Sequence, residues 1–399
     1  MSVTYPAGFT ASGLAAGFKA SGRLDMGLLL GTPGTVCAGL FTTNRVAAAP
    51  VRLSRVRLRA GAPRAVVVNS GQANAATGPA GDSDALTSTA AVSAALQLGA
   101  DDILQCSTGV IGEPLHLDLF GDAVPKLVAS LGRDGGDAFA HSIMTTDKID
   151  KQAIADAPVE GFRVGGCAKG VGMIAPDLAT MLAFVTTDAT LSAEDLHRMA
   201  KEQLGARFNS LTVDDCTSTN DTVLFFASGA ARRAPVTVGS PAWKHLSEAV
   251  AEVGESLVQQ LARDAEGGQH VLIVEITGAE SDHDARVIAK AVANSPLVKT
   301  AVFGGDPNPG RVLQAVGAAG IAVDADRLDV WFGDTQVASA GAISRDYFAQ
   351  GGLADAARSH MLARDVHIRV TVGDGHGKSR ALGCDLSYDY VRINGEYTT

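Results

Sequence analysis

The sequence predicts an α/β fold, a layered α-β-β-α-like sandwich accompanied by a second, smaller α/β lobe. Short apolar runs typical of strands are mixed with amphipathic helical segments, and the lack of strict βαβ alternation indicates some antiparallel pairing. Of the 399 residues, 46% are hydrophobic and 19% are charged, so the chain can bury a substantial core. We place the main lobe at residues 1–279 and the second lobe at 280–399, divided at the polar segment Ser281-Asp-His-Asp284.

The first half of the chain contains two predicted strands, each followed by a helix. Ala65–Asn69 is a short apolar run that predicts a buried strand, which ends in a tight turn at Ser70-Gly71. Asp82 or Ser83 is then expected to cap an Ala- and Leu-rich helix that reaches Leu98. The other two elements are a strand at Met181–Thr187 and a helix through Leu204, which Ser192 caps with Asp195 three residues on.

The second half begins with the clearest helix, which Ser240-Pro241 opens. Its apolar residues recur every three or four positions and therefore share one face. They are Leu246, Val250, Val253, Leu257 and Leu261. Val271–Thr277 predicts a strand, and between residues 366 and 372 valine or isoleucine alternates with polar residues, which predicts a half-exposed strand.

Charge and composition argue against several classes of protein. The 33 basic residues are outnumbered by 43 acidic ones and form no dense run, so we expect neither nucleic acid nor a membrane as a partner. The first basic residue is Lys19, so we expect no signal peptide. The five cysteines are scattered without a C-x-x-C pair and are interpreted as small buried side chains in a reducing compartment. These features predict a cytoplasmic protein.

Several familiar catalytic motifs are absent. The sequence has no G-x-x-x-x-G-K-[ST], no H-E-x-x-H and no G-x-S-x-G, which argues against a P-loop enzyme, a zincin and an α/β-hydrolase. The nine histidines are isolated in the sequence, and each is interpreted as a surface or structural residue rather than a metal ligand.

Small polar residues cluster at the ends of apolar runs. The segments are Asn69–Gly78, Ser107–Gly112, Ile143–Asp147, Lys169–Thr180, Asn209–Asp221 and Gly305–Arg311. Taken singly, each is an ordinary loop, because these residue types favour turns. Taken together, they supply hydroxyl groups, backbone N–H groups and a lysine, which are the groups that acyl transfer without a metal requires.

The segment Ala168–Ala189 resembles the region around the nucleophile of the ornithine acetyltransferases, also called glutamate N-acetyltransferases, of the acetyl-cycling arginine pathway. Further blocks resemble that family in the same order along nearly the whole chain. They are Ser107–Gly112, Ile143–Asp147, Ser218–Asp221, Asp264–Gly267, Asn294–Thr300 and the terminal Tyr397-Thr-Thr399. Any one block would be weak evidence, but collinear blocks at sensible spacing make the resemblance specific.

The resemblance implies an enzyme that cuts itself between Ala179 and Thr180. An α chain of residues 1–179 and the start of a β chain, residues 180–279, would then form the main lobe together. Pro176 restricts the loop before the cut, and the α-amino group freed at Thr180, with a pKa of roughly 7.7–8.0, can act as the base for its own hydroxyl. Without the neighbouring blocks, Thr180 would be interpreted as a β-branched residue that starts a strand.

The resemblance also assigns the groups around the nucleophile. Thr108 and Gly109 match the pair that forms the oxyanion hole, with one hydroxyl and one backbone N–H donor. Thr146 and Lys169 match positions that contact the substrate, and Lys169 is suited to the α-carboxylate of an amino acid. Considered alone, the first pair is an ordinary turn and Lys169 a solvated surface lysine.

Three further substrate contacts follow from the C-terminal half. Glu266 matches the carboxylate that receives the cationic end of ornithine, although a glutamate at a helix end is commonly only a surface residue. Asn394 and Thr399 match the tail residues that close over the site in that family, and this assignment rests on the resemblance alone.

The sequence departs from the family's pattern in the block Gly305–Arg311. Pro309 stands where the family usually has tryptophan, which removes a large aromatic surface and a backbone donor. Asp306, Asn308 and Arg311 in the same block are expected to be structural rather than catalytic. Gln269-His270 also replaces a common Thr-Lys pair after the glutamate block.

These expectations describe a self-cleaving N-acetyltransferase with ping-pong chemistry and no metal or organic cofactor. N2-acetyl-L-ornithine would acetylate Thr180, and L-glutamate would then accept the acetyl group, within an α2β2 assembly implied by the resemblance. Three alternatives stay open: an N-terminal-nucleophile amidohydrolase or aminopeptidase, a paralogue with another substrate in secondary metabolism, and an uncut binding protein on the same fold. The sequence does not tell whether acetyl-CoA also serves as a donor.

Overall fold

The computed structural model of the chain describes residues 2–175 and 181–396. These residues divide into two compact units. The first comprises the described residues of Met1–Asn209 and Thr217–Leu261, and the second those of Ser210–Cys216 and Ala262–Thr398.

The first unit contains two β-sheets. Its strands are β1 (Phe9–Leu14), β2 (Met26–Gly31), β3 (Val36–Phe41), β4 (Ala65–Gln72), β5 (Ile103–Val110), β6 (Lys151–Ala157), β7 (Phe162–Lys169), β8 (Leu182–Thr187) and β9 (Thr222–Ala227). One sheet has the order β1-β2-β4-β5 and the other β3-β9-β8-β7-β6. The pairs β4–β5 and β8–β9 are parallel and their neighbours antiparallel, so the predicted antiparallel pairing occurs in both sheets.

Seven α-helices accompany these two sheets in the described residues. They are α1 (Ala49–Ala60), α2 (Gly78–Leu96), α3 (Leu117–Ala129), α4 (Gly136–Ser142), α5 (Ala193–Met199), α6 (Ala206–Phe208) and α7 (Pro241–Arg263). Apolar side chains of both sheets share one core, where Phe139 of α4 meets Phe184 edge-on at 5.1 Å. Outside the first sheet lie α2 and α3, and outside the second, Val253 of α7 approaches the backbone at Gly166. The predicted α-β-β-α layers are thus present.

Helix α7 confirms the spacing argument most clearly. Its five predicted core residues are all fully buried. The Ser240 hydroxyl accepts the amide N–H of Trp243 at 3.1 Å and caps the first turn, where Pro241 needs no hydrogen-bond acceptor. Ser192 caps α5 in the same way, through the Asp195 amide at 3.1 Å.

Two predicted boundaries in the first unit are wrong. β4 does not turn after Asn69 but continues to Gln72, because its last residues pair with β5. Helix α2 begins at Gly78, so Asp82 and Ser83 lie inside it and do not cap it. The earlier start is stabilised by a proline in the first turn and by the Asn74 amide, which donates to a first-turn carbonyl at 3.0 Å.

The second unit is built on one sheet of order β13-β12-β11-β14-β10-β15. The strands are β10 (Val271–Ala279), β11 (Asp329–Phe332), β12 (Thr335–Ser339), β13 (Ala342–Ile343), β14 (Asp365–Thr371) and β15 (Gly377–Cys384). The helices are α8 (Asp282–Asn294), α9 (Pro296–Phe303), α10 (Pro309–Gly317), α11 (Leu353–Met361) and α12 (Tyr388–Glu396). Strand β14 buries alternate residues, as its period of two predicts. Across the described ranges of both units, no helix combines the length and the apolar character needed to cross a membrane.

The polar segment Ser281–Asp284, predicted to divide the two lobes, lies inside the second unit. The Ser281 hydroxyl accepts the Asp284 amide at 3.1 Å and caps α8, so its polarity serves a helix start. Apart from the short stretch Ser210–Cys216, the chain enters this unit at Ala262, near the end of α7, which differs from the boundary expected near residue 280.

The cysteines are free and, with one exception, buried as predicted. The exception is Cys216, which is exposed and corrects that prediction. It follows two aspartates in a turn, where its amide donates to the Asp214 carboxylate at 3.3 Å and Asp215 has a φ of +57°.

Candidate active site

The carboxyl ends of the parallel strands β4 and β5 form the floor of the candidate site. Thr108 and Gly109 pair there with Ser70 and Gly71, respectively. Gly109 has a φ of +131°, and a Cβ at this position would lie 2.2 Å from the carbonyl carbon of Gly71. Only glycine fits such a conformation and such a close approach, so the backbone of the predicted oxyanion pair has a fixed shape.

Lys169, the last residue of β7, reaches this floor. Its side chain is buried, and its Nζ donates a hydrogen bond to Thr108 Oγ1 at 3.3 Å. A buried ammonium is expensive unless it is hydrogen-bonded and paired, so a solvated surface lysine is excluded. The structure therefore brings together two residues that the sequence separates by 61 positions.

Asp147 supplies the negative charge beside Lys169. Its carboxylate accepts hydrogen bonds from Lys151 Nζ at 2.7 Å, the Gly170 amide at 2.8 Å and the Thr145 amide at 2.9 Å. Burial alone would raise the pKa of Asp147, but the charges of Lys169 and Lys151 and these hydrogen bonds lower it to about 2. The carboxylate is therefore ionised at neutral pH and fixes the segment that carries Thr146.

Thr146 is half-buried between Thr145 and Asp147, on this anchored segment. The structure therefore shows that the hydrogen bonds of Asp147 hold the block Ile143–Asp147 in place. The sequence indicated the block but no role for Asp147 or Lys151. The available signal was an aspartate and a lysine four residues apart at the start of a strand.

Asp221 is a second buried carboxyl group whose role the sequence did not indicate. It is fully buried directly before β9, and its Oδ1 accepts the amide N–H of Met181 at 2.8 Å. Within the described residues its Oδ2 has no hydrogen-bond partner. Burial raises the pKa of Asp221 well above its usual range, and the Met181 amide and Lys169 oppose only part of that effect.

Three predicted residues, Ala179, Thr180 and Thr399, lie outside the described residues. What the structure does describe is the chain on either side of the first two. Gly170 and Met181 are each held through the backbone amide by a buried carboxyl group, Asp147 and Asp221 respectively.

Glu266 and Asn394 meet in the second unit. The Asn394 side-chain amide donates to Glu266 Oε2 at 3.1 Å and to the backbone oxygen of Tyr390 at 3.1 Å. Gly267 has a φ of +68°, and a Cβ there would lie 2.3 Å from the Tyr390 amide nitrogen. Helix α12 therefore packs tightly on the turn that carries Glu266, and the contact requires glycine.

The departures from the family pattern are accommodated in the second unit. Pro309 is buried as the first residue of α10, and Asn308 caps that helix by accepting the Arg311 amide at 3.1 Å. Proline suits this position because its missing N–H would have no acceptor in the helix. Gln269 and His270 contact Asp385 through their backbone amides at 2.8 and 3.1 Å, so those contacts do not depend on their side chains.

The fold is α/β, and similarity to known proteins shows that the chain is an enzyme of the acyltransferase class. A family model described as the ArgJ family matches residues 10–399. The chain is 42% identical to the arginine biosynthesis bifunctional protein ArgJ of Thermosynechococcus vestitus and 44% identical to that of Mycobacterium bovis, covering 98% and 96% of them and 100% of itself. The chain belongs to the ArgJ family, which confirms the family expected from its sequence.

A solved structure agrees with this assignment. The crystal structure of the arginine biosynthesis bifunctional protein argJ from Bacillus halodurans matches with a TM-score of 0.51 and 38% identity. The match covers 98% of that chain but only 54% of this one. The crystallised chain is therefore roughly half as long as the protein described here.

Proposed function

We propose that the protein cuts itself between Ala179 and Thr180 and then transfers an acetyl group from N2-acetyl-L-ornithine to L-glutamate through an acetyl-Thr180 intermediate. In this proposal Thr108 and Gly109 stabilise the oxyanion, while Lys169 and Thr146 bind the amino-acid backbone of the substrate. Glu266, Asn394 and Thr399 bind the remainder of the substrate.

The hydrogen bond from Lys169 to Thr108 is the observation that carries the proposal. Because the ammonium donates to the hydroxyl oxygen at 3.3 Å, the hydroxyl proton of Thr108 is left to donate elsewhere. A donated hydrogen bond also polarises the hydroxyl and strengthens it as a donor. Thr108 is thus prepared to bind developing negative charge, and loss of such a donor typically costs about 2.7–4 kcal/mol of transition-state stabilisation.

Self-cleavage would proceed by an N-to-O acyl shift. The Thr180 hydroxyl oxygen attacks the Ala179 carbonyl carbon, the C–N bond breaks, and the hydroxyl proton is transferred to the departing nitrogen. Water then hydrolyses the ester, which leaves a carboxylate on Ala179 and a free α-amino group on Thr180. That amine has a pKa near neutrality and can accept the hydroxyl proton in later turnovers.

Acetyl transfer would repeat this chemistry in two half-reactions. Thr180 Oγ attacks the acetyl carbon of acetylornithine, and the α-nitrogen of ornithine leaves after it takes up a proton. The amine of L-glutamate then attacks the acetyl ester, and the proton it loses returns to Thr180 Oγ. In both halves the negative charge on the acetyl oxygen would be stabilised by Thr108 and Gly109.

The sheet of order β3-β9-β8-β7-β6 supports the expectation that the two fragments stay together. β7 would belong to the first fragment and β8 to the second, and they pair over six residues from Val164–Thr187 to Lys169–Leu182. The pair β3–β9 also joins the two fragments. The half-length chain from Bacillus halodurans agrees in size with a cut at this position. The α2β2 assembly and the cytoplasmic location are further parts of the proposal.

Intact mass spectrometry of the purified protein tests the cleavage step. We expect two species, 1–179 and 180–399, in the unmodified protein and in Thr190→Ala, whose hydroxyl lies outside the proposed site. Thr180→Ala should give one uncut chain near 40.8 kDa. An uncut chain in all three samples, or cleavage in Thr180→Ala, would contradict the proposal.

Incubation of the cleaved protein with acetylornithine tests the transfer. A mass increase of one acetyl group on the 180–399 fragment, removed by L-glutamate with formation of N-acetylglutamate, is the expected result. Release of free acetate at a rate that glutamate does not change would instead indicate a hydrolase.

A further inference from the structure

The loop between β1 and β2 is held by a buried carboxylate. Asp25 is fully buried and accepts the backbone amides of Ala16 at 2.6 Å, Gly17 at 3.1 Å and Lys19 at 3.0 Å. Three amide donors on one carboxylate fix the backbone of this loop. The position of Lys19 is therefore set by the fold.

This loop lies against the floor of the candidate site. A Cβ on Gly71 would be 2.7 Å from the backbone oxygen of Phe18, so the two backbones are in close contact. Gly71 pairs with Gly109 across the parallel strands β4 and β5. Lys19, the residue after Phe18, therefore lies beside the strand ends that carry Thr108.

The ammonium of Lys19 shares the electrostatic environment of Lys169. Its Nζ donates to the backbone oxygen of Leu24 at 2.7 Å, which uses one of three donors. The pKa of Lys19 is lowered to about 8, mainly by burial. The charges of Arg23 and Lys169 also lower this pKa, whereas those of Asp25 and Asp147 raise it. The charge of Lys169 thus acts on Lys19, and the contact between Phe18 and Gly71 places both lysines near the strand ends that carry Thr108.

We propose that Lys19 is a specificity-determining residue that binds the side-chain carboxylate of the dicarboxylic acceptor, while Lys169 binds its α-carboxylate. The proposal rests on the function proposed above. L-glutamate carries two carboxylates and ornithine one, so one cation suffices for the donor product and two are needed for the acceptor. A fixed pair of lysines at the strand ends provides them.

Lys19→Met tests this assignment because it removes the charge and keeps most of the side-chain length. L-glutamate should lose about tenfold or more in kcat/KM and in binding affinity, the loss expected for a charge-assisted hydrogen bond. L-glutamine, which lacks the second carboxylate, should change by less than about twofold as an acceptor or a ligand. Acetylation of Thr180 by acetylornithine should likewise stay within about twofold of the unmodified enzyme.

Two matched variants separate recognition from structure. Lys19→Arg keeps the charge and should keep the preference for glutamate over glutamine. Arg23→Met removes an exposed cation from the same loop and should change neither acceptor. If Lys19→Met weakens glutamine and acetylornithine as much as glutamate, Lys19 only supports the loop and the proposal is overturned.

The pH dependence gives a second readout. The Lys19 ammonium is charged below its pKa of about 8, so the affinity for glutamate relative to glutamine should fall as the pH rises through 8. Lys19→Arg should abolish that fall, and an unchanged fall would overturn the assignment. Calorimetric binding of glutamate and glutamine to the purified protein without acetylornithine needs no turnover, so a failure of this assignment can be told apart from a failure of acetyl transfer.

Discussion

The buried pair formed by Asp147 and Lys151 should contribute strongly to stability and depend on pH. Both side chains are fully buried, and their charged atoms are 2.7 Å apart. The pKa of Asp147 falls from 3.8 to about 2 in the folded protein. At 1.36 kcal/mol per pKa unit, the ionised carboxylate stabilises the fold by about 2–3 kcal/mol at neutral pH.

The pH window follows from the direction of that shift. Because the folded-state pKa lies below the unfolded one, the stabilisation is complete above about pH 4–5 and is lost as the pH falls towards 2. Asp147→Asn removes it at every pH and also leaves the Lys151 ammonium buried beside a neutral amide. The expected loss at pH 7 is therefore about 3–5 kcal/mol.

Urea unfolding of Asp147→Asn at pH 7 and pH 2.5 measures both effects. The uncut Thr180→Ala chain is the suitable background because it remains one polypeptide. Asp82→Asn is the control: Asp82 forms an exposed ion pair with Arg52, whose loss should cost less than about 1 kcal/mol. A loss below 1 kcal/mol for Asp147→Asn, or an equal loss at both pH values, would refute the reasoning.

Two further perturbations test the site floor and the cysteines. Gly109→Ala should reduce acetyl transfer at least a hundredfold and lower the melting temperature, because the new Cβ would lie 2.2 Å from the Gly71 backbone. A near-normal kcat would contradict this prediction. In the native protein, iodoacetamide should label Cys216 alone. Cys106, whose pKa burial raises to about 12, should react only after denaturation, as peptide mapping would reveal.

The elements that could be predicted are those whose pattern is set by one buried face. Helix α7 and strand β14 have regular periods of 3.6 and 2, and both were found where expected. The start of α2 could not be read in this way. Its first turn has the composition of a loop, and the Asn74 side chain that holds it lies outside the helix.

The site was predictable only in part because its contacts are distant in sequence. Thr108 and Lys169 were assigned by resemblance, and nothing in their local sequence shows that they meet at 3.3 Å. Asp147 is 23 residues from Gly170, and Asp221 is 40 residues from Met181. A usable signal for Asp221 was an acidic residue directly before the largely apolar run of β9, since a carboxyl group buried there must find a donor.

The two buried carboxyl groups also bear on the proposed cut between β7 and β8. These antiparallel neighbours pair from Lys169–Leu182 onward, and a two-residue turn could connect them. The chain instead uses residues 170–181, far more than the connection requires. Asp147 holds the first amide of this segment and Asp221 the last, each at 2.8 Å. A long connection anchored at both ends beside a buried lysine is consistent with the proposed cleavage, and the pairing of β7 with β8 would keep the two fragments together.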